Sequence, residues 1–116
     1  ATNIESNIKD VVEILESLDA IKKEIRLKFK HLTNQEMLVF SFLYQLEEAN
    51  HEVTYKLLSS SLKLSESSIR DYIQRIINKG IPIKKEKINN KKIVLSISSD
   101  LKKIATLSTI IKLREL

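Results

Sequence analysis

Ser67, Ser68, Arg70, Gln74 and Arg75 fall within nine residues, and Lys84, Lys85, Lys87, Lys91 and Lys92 fall within another nine. The first group carries the hydrogen-bonding chemistry that reads nucleobase edges: serine donates or accepts, arginine contacts guanine bidentately, and glutamine pairs with adenine. The second group carries the charge that neutralises phosphates. Each has a plainer explanation beside it. A polar run on a helix is commonly its solvated face, and lysines on a strand guard it against pairing with other chains. Five lysines around one short segment, offset only by Glu86 and following a basic helix, weigh toward a polyanion.

Other chemistry has less behind it. His31 and His51 are the only histidines and no third ligand accompanies them, so no metal site is expected. Asp10, Glu13 and Glu16 read as the solvated side of a helix, not as a catalytic pair. There is no glycine-rich phosphate loop and no nucleophile–base motif, so neither a cofactor nor catalysis by these residues is expected. The absence of cysteine excludes disulfides and thiolate metal sites. No aromatic residue decorates the expected sheet as a stacking platform, which argues against single-stranded RNA. Tyr44, Tyr55 and Tyr72 are expected at the core's edge with solvated hydroxyls. No apolar run approaches the roughly 18 residues of a membrane span, and no basic-then-apolar leader opens the chain. The expected location is cytoplasmic and nucleoid-associated, or the equivalent intracellular compartment. The chain opens on Ala1 rather than Met, which leaves room for a longer parent.

The elements that must position these groups are mostly helical. The 116 residues suit one domain, and a single Gly and a single Pro leave little for turns. Net charge is +5, unevenly placed. Residues 1–62 hold seven Lys/Arg against ten Asp/Glu, a balance of −3, and residues 63–116 hold thirteen against five, a balance of +8. Such asymmetry fits an anionic partner reached by one end of the molecule.

Residues 4–29 read as one helix. Ile4, Ile8, Val11, Leu15, Leu18, Ile25 and Phe29 recur in steps of four and three, broken at Lys22, with Ile14 and Ile21 widening the stripe. This is coiled-coil-like spacing. A helix of about 40 Å exceeds what the following domain can cover, so part of the seam is expected to meet a second copy. Thr33 and Glu36 form a capping box for a helix through Glu48, with Met37, Leu38, Phe40, Phe42, Leu43 and Leu46 as its apolar side chains. A short helix starts at Val53–Thr54, and Lys63–Leu64 turns the chain. Ser65 caps a fourth helix, Glu66 to Lys79, that buries Ile69, Ile73, Ile76 and Ile77 and ends before Gly80. Two-residue alternation on both sides of Asn89–Asn90 predicts a hairpin. Ser98 or Ser99 caps one last helix reaching about Leu113, with Leu101, Ile104, Leu107, Ile110, Ile111 and Leu113 as its apolar stripe.

The stretch Thr54–Ile81 resembles the helix-turn-helix of MarR-type and related winged-helix regulators. Leu58, Leu62, Leu64, Ile69, Ile73, Ile76 and Gly80 stand at the core and cap positions of that pattern, and the likeness runs over residues 33–97 once the hairpin is included. Ser59 replaces the usual small Ala, and Asp71 stands where many relatives carry a basic residue. The resemblance implies a mainly α winged helix-turn-helix with a small β-hairpin, flanked by a long N-terminal and a C-terminal helix. It divides the chain into a dimerisation helix (1–30), the winged helix-turn-helix (31–97) and a C-terminal helix (98–116). It also implies a homodimer on double-stranded DNA as a transcriptional regulator. The expected contacts are Ser65, Ser67, Ser68, Arg70, Gln74 and Arg75 from the helix, and Lys84, Lys85, Lys87, Lys91 and Lys92 from the wing. No ligand pocket is evident from the sequence. The competing readings are a protein-interaction module and an accessory domain of a larger enzyme.

Overall fold

A computed structural model describes residues 4–116, with side chains from residue 7 onward. The first three residues of the 1–30 segment, and the side chain of Ile4, lie outside that range. The order is α1 (Ile4–Lys30), α2 (Asn34–Glu48), β1 (Val53–Thr54), α3 (Tyr55–Leu62), α4 (Glu66–Asn78), β2 (Ile83–Ile88), β3 (Lys92–Ile97), α5 (Ser99–Ile104) and α6 (Leu107–Glu115). This is a mainly α winged helix with a small antiparallel sheet in the order β1-β3-β2.

Local chemistry accounts for most boundaries. Thr33 accepts the Glu36 N–H at 3.1 Å, and the Glu36 carboxylate accepts the Thr33 N–H at 2.8 Å, so the capping box closes in both directions. Thr54 and Ser65 cap α3 and α4 by accepting the N–H groups of Leu57 and Ser68. Lys63 takes a left-handed φ of 56° to turn α3 into α4. At the hairpin tip Asn89 and Asn90 have φ of 53° and 55°, and the Lys91 N–H bonds the Ile88 carbonyl at 3.1 Å. Two consecutive positive φ values make the primed turn whose twist matches the strands.

The core draws Ile25 and Phe29 from the end of α1, Leu32 from the link after it and Val39, Phe40 and Leu43 from α2, over Leu58, Ile69, Ile73 and Ile76, Leu95 and Ile97. Phe29 and Phe40 meet edge to face with centroids 4.9 Å apart. Arg114 on α6 returns to α1, donating to the carbonyls of Phe29 (3.0 Å) and Leu32 (2.9 Å). A cation on carbonyls at a helix C-terminus is favourably placed.

Several expectations need correction. The last helix is two, because Ala105 is extended (φ −146°, ψ 135°) and Thr106 starts a new cap on the Thr109 N–H. Ile104 and Ile111, expected in its stripe, are exposed. Thr54 caps α3 as expected, but Val53–Thr54 also form a short third strand, pairing with Leu95 and Val94. In α2 Met37, Phe40 and Leu43 are buried as expected and are joined by Val39 and Tyr44, whereas Leu38 faces outward. The α4 helix ends at Asn78, with Lys79 as its C-cap. Ser98, not Ser99, caps α5. Tyr44 is buried with its hydroxyl donating to the Ala105 carbonyl at 3.3 Å, not solvated.

Candidate nucleic-acid interface

The α4 helix owes its position to contacts at both ends. Ile69, Ile73 and Ile76 are fully buried, which fixes one face inward and turns Ser67, Asp71, Gln74 and Asn78 outward by helical spacing. At its C-terminus Lys79 donates to the Glu36 carboxylate at 2.5 Å and to the His31 carbonyl at 2.9 Å. Glu36 is only 1% exposed. Burial pushes its carboxyl up, but the Lys79 hydrogen bond, the Thr33 N–H and the Lys79 charge outweigh that and hold it below the ordinary value. One carboxylate therefore caps α2 and anchors α4.

The wing lies along one flank of α4. Lys85 donates to the Gln74 side-chain carbonyl at 2.8 Å, and the Gln74 amide donates to Asn78 at 2.9 Å. At the tip, Lys91 and Lys92 share a hollow of about 200 Å³ with Arg70 of α4 and Lys56 of α3. Lys56 is a cation that the sequence pattern does not single out; its place in the first turn of α3, facing outward, is the only signal. Four cations around one concavity concentrate positive potential there. Their charge is partly offset, because Lys92 pairs with Glu52 and Arg70 with Glu66 at 3.8 Å. Arg70 also lies 5.1 Å over the Tyr55 ring.

The expected contact residues do not all converge. Lys85 meets Gln74, and Lys91 and Lys92 line a hollow with Arg70, although Lys92 pairs in register with Ile88 and so shares the strand face of Lys84 and Ser96. Lys87 is exposed and shares a strand face with Lys85. Lys84 pairs in register with Ser96 on the opposite face of the sheet. Ser65 and Ser68 are occupied with the α4 cap and with each other, while Ser67 is exposed. Arg75 lies 5.7 Å over Tyr72, on the flank away from Arg70. Asp71 is exposed in the middle of the outward face.

A hollow of about 320 Å³ between α1, residues 81–82 and α5, lined by Ile21, Lys28, Ile81 and Leu101 among others, had no signal in the sequence. Among the described residues no group of three His, Asp or Glu stands close enough to hold a metal ion. None of the described helices is long and apolar enough to cross a membrane.

No family model matches the sequence, and no curated protein matches it. Solved structures do. A mutant of S. aureus MepR bound to an oligodeoxyribonucleotide is similar with a TM-score of 0.58 at 9% identity, over 98% of this chain and 78% of that one. MarR is similar with a TM-score of 0.56 at 14% identity, over 93% and 75%. A MarR protein from Peptoclostridium difficile is similar with a TM-score of 0.53 at 22% identity, over 97% and 70%. At such identities the likeness establishes a shared fold, the winged helix with its flanking helices.

Proposed function

We propose that this chain, on the winged-helix fold it shares with MarR-type regulators, binds double-stranded DNA as a homodimeric, intracellular transcriptional regulator without catalytic activity of its own. Residues 31–97 contact DNA, and residues 1–30 and 98–116 hold two copies together. The reading rests on one observation above all: the wing and α4 face the same side, joined through Lys85 and Gln74, with Lys56, Arg70, Lys91 and Lys92 around one concavity. A helix about 10–12 Å across fits a major groove about 12 Å wide. Ser67, Arg70 and Gln74 on its outward side meet base edges, while the wing lysines meet phosphates or the adjacent minor groove. Two such helices in a dimer contact half-sites about one helical turn apart. A MepR mutant bound to an oligodeoxyribonucleotide, on the same fold, gives the reading independent support.

The test is anisotropy of a labelled duplex pool at two salt concentrations, followed by recovery of the bound sequences. Binding that weakens with salt and enriches a two-fold symmetric motif supports the reading; no binding at either salt refutes it. Asp71 on the outward face, with Glu52 and Glu66 on two of the cations, favours one alternative. In it α4 docks on protein, and duplex DNA leaves the chain unbound.

A further inference from the structure

Gln74 is held from both sides. Its Oε1 accepts from the Lys85 ammonium of β2 at 2.8 Å, and its Nε2 donates to Asn78 Oδ1, one turn further along α4, at 2.9 Å. All three side chains are exposed, where water would serve each of them, so the fold itself does not require the network. The two ends differ in what they tolerate. An amide can turn over, exchanging its oxygen and its NH2, and Asn78 can turn with it. The Lys85 ammonium cannot follow, because it only donates. While Lys85 reaches it, the Gln74 oxygen faces the wing and its NH2 faces the C-terminal end of α4. One acceptor site on Oε1 and one N–H on Nε2 then remain for a ligand.

That leftover pair is selective. In the major groove adenine offers an N7 acceptor beside an N6 donor, whereas guanine offers two acceptors, N7 and O6. An amide free to turn can aim its NH2 at the guanine O6. One held by Lys85 sets its oxygen there instead, and two acceptors repel. Asp71 stands three residues earlier on the same outward face, exposed, and its carboxylate only accepts. It calls for an amino group on the neighbouring base, the N6 of adenine or the N4 of cytosine. An acid is out of place against phosphate, but in the middle of a groove-facing helix it joins Gln74 in rejecting guanine.

We infer that Gln74 selects adenine over guanine at one position of the groove that α4 enters, and that Lys85 is the positioning residue that fixes the amide for it. The inference rests on the duplex-DNA reading above and adds which base is read and what orients the reader. Lys85 keeps two further N–H groups, so holding Gln74 leaves it able to meet a phosphate as well. The wing and the helix are then one reading unit: a strand residue decides which way a helix residue presents its amide.

Sequences recovered by the full chain from a random duplex pool test it. Wild type is expected to enrich adenine at a position where Gln74→Ala does not, and to bind the guanine-substituted duplex about 5- to 150-fold more weakly, the range of one bidentate contact. Replacing that adenine by 7-deazaadenine, which lacks only the N7 acceptor, is expected to weaken wild type and leave Gln74→Ala unchanged. Lys85→Met is expected to bring adenine and guanine close to parity, and Lys85→Arg, which also only donates, to restore the preference. Lys87→Met removes a charge from the same strand face. It is expected to flatten the salt dependence while keeping the preference for adenine, which separates positioning from charge. A Lys85→Met chain that keeps the wild-type ratio of adenine to guanine overturns the positioning role. A Gln74→Ala chain that recovers the same sequences as wild type overturns the inference and leaves DNA binding standing. A wild type that binds no duplex sinks the functional reading, and the inference with it.

Discussion

The salt dependence of duplex binding counts phosphate contacts, and the hairpin geometry sets the count in advance. Each phosphate neutralised contributes about 0.9 to the slope of log K against log salt. Five wing lysines, all engaged, would give about −4.5 per subunit. Register and the tip hollow divide them: Lys85 and Lys87 share the face toward α4, Lys91 and Lys92 line the hollow at the tip beside Arg70, and Lys84 stands at the base of the hairpin on the far face beside Ser96, the face that Lys92 shares. Four engaged lysines give a slope of about −3.6, so raising salt from 50 to 200 mM costs about 150-fold per subunit. Replacing Lys87 and Lys91 by Gln halves the slope to about −1.8 and shrinks that loss to about 12-fold. Lys84→Gln leaves both numbers where they were. Fluorescence anisotropy of one duplex over five salt concentrations measures all three. The reasoning is refuted if Lys84→Gln flattens the slope as much as Lys87→Gln does, or if the double variant keeps the wild-type slope.

Three further outcomes follow from particular contacts. Glu36→Gln is expected to lower stability at pH 7 by about 1–3 kcal/mol, because hydrogen bonds to a charged group are lost at a buried site. The native carboxyl is held below its ordinary 4.5, so its contribution is full above that value and fades as pH falls through the native one; urea midpoints of the two proteins should converge in acid. Tyr44 shows the opposite limb: burial, with Glu48 and Glu47 adding and Lys102 opposing, raises its hydroxyl above 10. The fold therefore loses stability as pH climbs past 10, a loss that Tyr44→Phe should reduce in thermal melts compared at pH 8 and pH 10.5. Glu52→Gln removes the carboxylate that competes with phosphate for Lys92 and is expected to tighten duplex binding about two- to fivefold at low salt, the scale of an exposed ion pair; weaker binding would mean that Lys92 is not presented to DNA.

What could be read ahead of the coordinates was local. Thr33 with Glu36, Ser65 ahead of α4, and Asn89–Asn90 each carry their reason within four residues, and each was legible. Long-range causes were not. Ala105 is a good helix former, yet the helix breaks there and its carbonyl takes the Tyr44 hydroxyl from 61 residues away. The two-residue β1 is too short to show alternation and forms because β3 offers it an edge. The capping box gives Glu36 one local role, and its second partner, Lys79, lies 43 residues further along, beyond any local pattern. The division of the wing lysines is different: adjacent Lys84 and Lys85 must point to opposite faces of any strand, so that signal is local and lies in the sequence itself.

The contacts that hold α4 also connect it to α1. Lys79 reaches the His31 carbonyl just past the end of α1. The Lys28 side chain of α1 lies about where a Cβ on Gly80 would meet it, at 3.5 Å, with Gly80 at φ +92° in the link to the wing. Ile25 and Phe29 of α1 share the core with Ile81 and Ile76. A change in how α1 packs therefore arrives at α4 and at the base of the wing through one layer of side chains, with no intervening domain. For a chain this short that directness matters: the helix proposed to join two copies and the helix proposed to read DNA share a core, so the geometry of the pair and the spacing of the two α4 helices are set together.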